Sequence, residues 1–587
     1  MKRTILATAL MAVFMAAPTG ATIKNKDTFI HLTIGDPESL DPVWSYDTAS
    51  QNIIGNIYEY LLAFQGSGVT PKDLIGRLAE KVPSTANGLL SKDGLTYRFP
   101  IRKGVKFQDG SILTPEDVRY SFLRFLLVDR DGGPSSLLLE PLLGVTGTRG
   151  PDGKMLPGIY DRAAKAVSLE GTTLVIRLDK PFAPFLSILA SFGAIVSKPW
   201  CVAKGEWDGT PEGLATHNNP KRESSHLLDH ANGTGPFSLE RFDKATKEIF
   251  LARHDGYWRG PAKLKRVIVK VIDEFATRKL KIQAGDADTI YGPQMYFPQL
   301  QGLDGVEVID GLQNLERSSI VFFTFKSNPS GNPNLGSGKL DGNGIPPDFF
   351  SDINVRKGFA YSIDYEGYVR DILRGKGRQA VSFIPQGLVG YKADLPKHTF
   401  DPKKAEEHMK KAWGGKAWEN GFKLTMVFNA GSAPAQTVCQ MIKKNVEALN
   451  PKFKIDVRSL QWSSFLEQNQ AGKTPLYLGA WQADYPDAHN FAFPLLHSKG
   501  YFPGKQRYAN PEVDRLIEEA ARTQDSAKRE KLYVKLQKIV FEDVPHVQIS
   551  EGVRYRTQRT WVKGFVFNPI FPDSPYGSYF YDLRKEE

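Results

Sequence analysis

Cysteine is scarce: the 587 residues hold only Cys201 and Cys439. A disulfide framework is thereby excluded as the basis of the fold, and at most one bridge could form. Cys439 shares a helical stripe with Ile442, Val446 and Leu449, the pattern of a core position, so both cysteines are expected as free thiols. Long apolar runs are missing too. Beyond the amino-terminus no stretch reaches the length of about 18 uninterrupted apolar residues that crosses a bilayer. Basic tracts are also absent: the formal charge is +11, but 76 Lys and Arg are dispersed among 65 Asp and Glu, with no interleaved aromatic stripe. That distribution argues for a solvated basic surface and against nucleic acid as a partner. No G-x-S-x-G elbow, P-loop, H-E-x-x-H or paired C-x-x-C occurs, so the chain is not expected to be an enzyme and no metal or cofactor is expected.

What is present is an ordinary globular composition, 41% hydrophobic and 24% charged, in a chain long enough for two or three domains. Lys2 and Arg3 precede an apolar run at 5–17, and small residues follow to Ala21. These are the n-, h- and c-regions of a secretory signal, expected at 1–21 with cleavage after Ala21 or Ala17. Removal takes two positive charges from the +11. No cysteine adjoins either site, so the expectation is a periplasmic protein without a lipid anchor.

The most informative stretch is 233–288, GTGPFSLERFDKATKEIFLARHDGYWRGPAKLKRVIVKVIDEFATRKLKIQAGDAD. Gly233 and Gly235 flank Thr234 before Pro236, which reads as a sharp turn. Phe237, Leu239, Phe242, Ile249 and Leu251 supply the apolar faces of an antiparallel pair. Tyr257 and Trp258 follow as an aromatic plug, Val267, Val269 and Val271 alternate on a third strand, and 275–284 reads as a helix stopped by Gly285. Earlier, a strand at 29–35 leads through a polar loop to a helix at 53–62. Thr114 caps a helix with Pro115 at its first position. Later, strands at 424–428 and 454–457 alternate with helices at 435–449 and 463–470, the mark of α/β layering. The Gly, Pro and Asn loop at 328–347 is long enough to be mobile or ligand-facing.

This order of elements resembles the extracytoplasmic solute-binding proteins of family 5, the dipeptide, oligopeptide and nickel receptors of ABC importers, from about residue 29 to about 565. The resemblance implies an α/β class II periplasmic-binding fold, with three domains in two lobes joined by a hinge. Domain I would comprise 22–65, 195–315 and 553–587, domain II 66–194 and domain III 316–552. A peptide, most simply an oligopeptide, or another small solute would be enclosed between the lobes and delivered to an inner-membrane ABC permease by a monomeric receptor.

A strand at 476–481 is expected to end at Asp484, before the Tyr485-Pro486 turn and close to Trp481. Such a carboxylate can hold a ligand ammonium by charge-assisted hydrogen bonds, or it can simply cap the turn. In the family's peptide receptors the corresponding acid grips the peptide's α-amino group. The resemblance puts Asp484 in that place, with Asp487 as the alternative. The arginine that pairs with a dipeptide's carboxylate in that family has no counterpart in 427–436. A longer peptide or a non-peptide amine therefore fits better. Trp481 and Tyr485, flanking the carboxylate, with Asn429, Trp462 and Tyr46 complete the candidate ligand site. Rival readings are a hydrolase using Asp484 and Asp487 as an acid–base pair, a nickel-chelate receptor using His226 and His230, and a chaperone.

Overall fold

The computed structural model describes residues 23–35, 37–430, 432–460, 462–570 and 579–587; the expected signal at 1–21 lies outside the described residues. A seven-stranded sheet runs in the order Val306–Leu312, Arg554–Arg559, Thr289–Ile290, Thr28–Thr33, Arg266–Val271, Glu248–Arg253, Phe237–Asp243. A three-stranded sheet of Thr96–Pro100, Thr173–Arg177 and Val167–Glu170 shares its hydrophobic core. Together they form a first lobe.

The second lobe is built on a five-stranded sheet ordered Phe453–Leu460, Phe422–Asn429, Leu476–Gln482, Glu316–Phe323, His546–Gln548. The first three strands are parallel and the other two pairings antiparallel. Alternate residues face opposite layers, as the strand period of two requires. Leu476 and Leu478 join Val438, Cys439 and Ile442 in one core. Tyr477 and Trp481 join Leu495, Leu516 and Leu536 in the other. The chain passes between the two large sheets at 313–315 and again at Val553. Both cysteines are buried and free, one in each lobe, and burial pushes both thiols up to about 12.

The 233–288 segment folds as its pattern predicts, into strands Phe237–Asp243, Glu248–Arg253 and Arg266–Val271 and a helix Phe275–Gln283. Its two glycines are needed for a different reason from the sharp turn expected. A Cβ on Gly233 or Gly235 would lie 2.2 or 2.6 Å from the carbonyl oxygen of Ile57. That carbonyl ends a helix and accepts hydrogen bonds from Gly235 N and Gln108 Nε2. The aromatic pair serves Glu59, which is buried. Its carboxyl accepts from Tyr257 Oη at 2.8 Å, Trp258 Nε1 at 2.8 Å and Thr234 Oγ1 at 3.2 Å. Burial raises its pKa against those bonds.

The first helix runs Thr48–Ile57 rather than 53–62, because Asp47 caps it by accepting from Ser50 N. Residues 58–61 leave the helix and carry Glu59 to its three donors. The helix Pro115–Leu127 begins at Thr114 as expected, with a full capping box to Asp117. From it Arg124 reaches a buried network, donating to both carboxylate oxygens of Asp41 at 2.6 and 2.7 Å and to Glu206 at 2.6 Å. The 328–347 loop is pinned rather than ligand-facing. Asn334 and Leu335 are buried, and Asn328 N donates to Gly472 O, in the turn that precedes the Leu476–Gln482 strand, away from its Asp484 end.

Candidate functional site

Three parallel strands of the second lobe end side by side, and the candidate residues follow those ends. Asn429 closes Phe422–Asn429, Trp462 opens the helix after Phe453–Leu460, and Asp484 stands two residues beyond Leu476–Gln482. Crevices outside the carboxyl ends of such strands are where open α/β sheets take ligands. The side chain of Trp462 lies outside the described residues. Asn429 is half-buried, in register beyond the Val427–Tyr477 pair.

Asp484 faces the other lobe. Its Oδ2 accepts from Tyr46 Oη at 2.8 Å and from Asn490 Nδ2 at 2.7 Å. Burial pushes its pKa up to about 6, against the opposing pull of Asn490 and Tyr46. No Lys, Arg or His among the described residues pairs with it. The site therefore holds a partly buried carboxyl whose partners among the described residues are neutral donors, an arrangement that favours an incoming cation.

Asp487 is committed elsewhere. It receives a two-pronged pair from Arg529 at 2.7 and 2.9 Å, and its Oδ1 accepts from His489 N. Burial raises its pKa, but the Arg529 charge outweighs that and holds it below the ordinary carboxylate value. Of the two acids, only Asp484 has its charge unmatched.

Around Asp484 the aromatic residues take different roles. Trp481 is buried, donates from Nε1 to Asn490 O at 2.7 Å and meets the Tyr46 ring edge-on at 6.4 Å. Tyr46 touches Phe192 of its own lobe at 6.1 Å, so it bridges both walls. Tyr485 is turned into the first lobe's core, its hydroxyl hydrogen-bonded with His489 Nδ1 at 2.8 Å. Further contacts join the lobes: Phe182 meets the His489 ring at 5.0 Å, and Ala183 N donates to Ala521 O at 3.0 Å.

Asn490 is the residue that sequence reasoning missed. Its Oδ1 accepts from Asp484 N and its Nδ2 holds Asp484 Oδ2, which fixes the carboxyl's orientation. The available signal was its place at the start of the helix His489–Leu496, just past the turn that carries Asp484. His226 and His230 stack face to face at 4.2 Å. Among the described residues no group of three or more His, Cys, Asp or Glu is placed to hold a metal.

A family model for bacterial extracellular solute-binding proteins, family 5, middle part, matches residues 73–503. The chain belongs to that family. Its members are extracytoplasmic, and among the described residues no helix is long and apolar enough to cross a membrane. Heme-binding protein A of Haemophilus influenzae is 25% identical over 96% of this chain and 94% of its own length. The probable D,D-dipeptide-binding periplasmic protein DdpA of Escherichia coli K12 is 26% identical over 97% and 98%. Among solved structures, the ABC transporter-associated periplasmic binding protein DppA of Helicobacter pylori, in complex with a peptide, superposes with a TM-score of 0.75. That match has 24% identity and covers 95% of this chain and 98% of that one. The architecture is thus the α/β periplasmic-binding fold, and Asp484 lies where its two lobes meet.

Proposed function

We propose that the protein is a periplasmic receptor that captures peptides between its lobes and hands them to an inner-membrane ABC permease. One observation carries the peptide reading: the Asp484 carboxyl, at the lobe junction, is held by Tyr46 and Asn490 and has no cationic partner among the described residues. A ligand ammonium supplies the missing charge, and the charge-assisted bond gains strength as closure excludes water. Trp481 and Tyr46 form the adjoining walls, and Asn429 and Trp462 complete the candidate contacts at the neighbouring strand ends. The family supports this reading, as do the peptide-binding relatives.

We divide the chain into domain I, 22–65, 195–315 and 553–587, domain II, 66–194, and domain III, 316–552, a reading supported by the three larger sheets. Closure about 313–315 and 553 then couples ligand capture to a change of shape that a permease can recognise. We assign the protein no catalytic activity and no nucleic-acid partner, and we take it to act as a monomer released from its precursor by cleavage of the 1–21 signal. A non-peptide amine is the second reading, favoured by the lack of any basic side chain in 427–436. Native mass spectrometry of protein purified without refolding tests both. A retained peptide mass supports the first, and a retained non-peptide mass replaces it.

A further inference from the structure

Lys505 belongs to the short helical turn Pro503–Gln506, in the loop after the helix His489–Leu496. Its Nζ sits 3.2 Å from the centroid of the Tyr501 ring. Among the described residues no carboxylate or carbonyl reaches this ammonium, and burial alone lowers its pKa to about 7. The ring face attracts the ammonium, but partial burial of the charge without a counter-ion costs free energy that a ligand anion would offset.

Tyr501 ties this lysine to the cleft. Its ring lies 5.9 Å from that of Trp481, whose indole donates to Asn490, the residue that holds Asp484. The first lobe is felt here too. Burial raises the Tyr501 phenol to about 12, and Arg130 draws it back. Arg130 itself is held over the Trp44 ring at 3.9 Å, with its Nε donating to Trp44 O at 2.6 Å. Tyr477, 1% exposed and packed in the same core as Trp481, has a hydroxyl with no hydrogen-bond partner among the described residues. The Tyr501 ring thus carries a cation without an anion and also packs against the Trp481 wall.

We propose that Lys505 is the counter-ion for a carboxylate on the ligand, so that Asp484 and Lys505 read opposite charges at the two ends of the Trp481–Tyr501 wall. The inference rests on the peptide reading above and adds a specificity residue to it. The ligand class is then an extended molecule carrying an ammonium and a separate carboxylate, supplied either by a peptide's terminus or by an acidic side chain. If Lys505 only covers Tyr501 with its aliphatic stem, its charge will not matter to the ligand.

The test uses the full mature protein and a pool of tri- to pentapeptides. Each is made as the free acid and as the carboxyl-terminal amide, with Glu or Gln at internal positions, and binding is read by native mass spectrometry and calorimetry. Wild type is expected to favour the carboxylate-bearing member of a pair by about tenfold, the scale of one charge-assisted bond. Lys505→Gln and Lys505→Met should bring the ratio to within about twofold, while Lys505→Arg keeps it. A preference for free acid over amide identifies the terminus as the carboxylate's source, and one for Glu over Gln identifies the side chain. Equal ratios in wild type and Lys505→Gln overturn the proposal while leaving the peptide reading intact. Failure of wild type to bind any member overturns the peptide reading and this inference with it.

Discussion

Tyr46 and Asp484 are 438 positions apart in the chain, yet the Tyr46 hydroxyl donates to the Asp484 carboxyl at 2.8 Å across the junction of the lobes. One oxygen of that carboxyl, Oδ2, is therefore held by a neutral donor from the opposite wall. The same bond joins the two lobes at the carboxyl that a ligand ammonium would use.

Tyr46→Phe removes that donor and nothing else of similar polarity. A hydrogen bond to an ionised group contributes about 1.5–3 kcal/mol, so the ligand-free variant should spend more time open. Small-angle scattering is expected to give it a larger radius of gyration than wild type without ligand, and the same radius with ligand. Identical ligand-free radii would mean that this bond does not hold the lobes.

Asp484 should make binding and stability depend on pH in opposite senses. Its pKa of about 6 lies above the ordinary value of roughly 3.9, so the native state takes up a proton before the unfolded chain does. Stability is then greatest below about pH 4 as far as this group is concerned, and it falls as pH rises to about 6. Affinity for an amine-bearing peptide runs the other way, weakening by about tenfold per pH unit below 6 as the carboxylate is lost.

Asp484→Asn tests both halves together. It should melt above wild type at pH 7.5 by an amount equivalent to about 2 kcal/mol, with the gap closing near pH 4. In calorimetry it should lose about 2–5 kcal/mol of affinity for a free amino-terminus and very little for the acetylated peptide. Equal losses for both peptides would show that the site does not read the ammonium.

Arg124 offers a contrasting case. It donates to Asp41 and Glu206 inside the first lobe, and all three side chains are buried. Burial would raise the Asp41 pKa, but Arg124 more than reverses it. Arg124→Met leaves two buried acids without their cation and should destabilise by about 3–5 kcal/mol. Chemical denaturation should report this loss while the folded fraction binds ligand as wild type does.

Gly233→Ala examines the close approach to Ile57. The added Cβ would sit 2.2 Å from a backbone carbonyl, which cannot swing aside as a flexible side chain can. Overpacking of this kind costs about 1–3 kcal/mol, visible as a lower melting temperature. An unchanged melt would show that the segment can move away without loss.

Much of this fold was legible because its periodicities are strong. The alternating valines of Arg266–Val271, the Thr114 cap and the Cys439 stripe each follow from local rules. Boundaries failed where a side chain from elsewhere decided them. The first helix starts at Thr48 because Asp47 caps it, and it stops at Ile57 because Glu59 is drawn to Tyr257 and Trp258. At the candidate site, Asp484 and Trp481 could be found from a strand followed by a turn. Asn490 could not be assigned its role, since its bond to Asp484 depends on how that turn folds back. Lys505 and Tyr501 were illegible for a plainer reason: their setting depends on the distant Arg130 and Trp481.

Leu312 and Arg554 are direct partners in the register of the seven-stranded sheet. The entire stretch between them, including every strand of the five-stranded sheet, leaves and returns through two points only about 5 Å apart. Geometrically it is a cassette plugged into a neighbouring pair of strands. A short bridge across that gap could excise it or graft in another without re-threading the host sheet, so a lineage could exchange one jaw of the receptor while keeping the other.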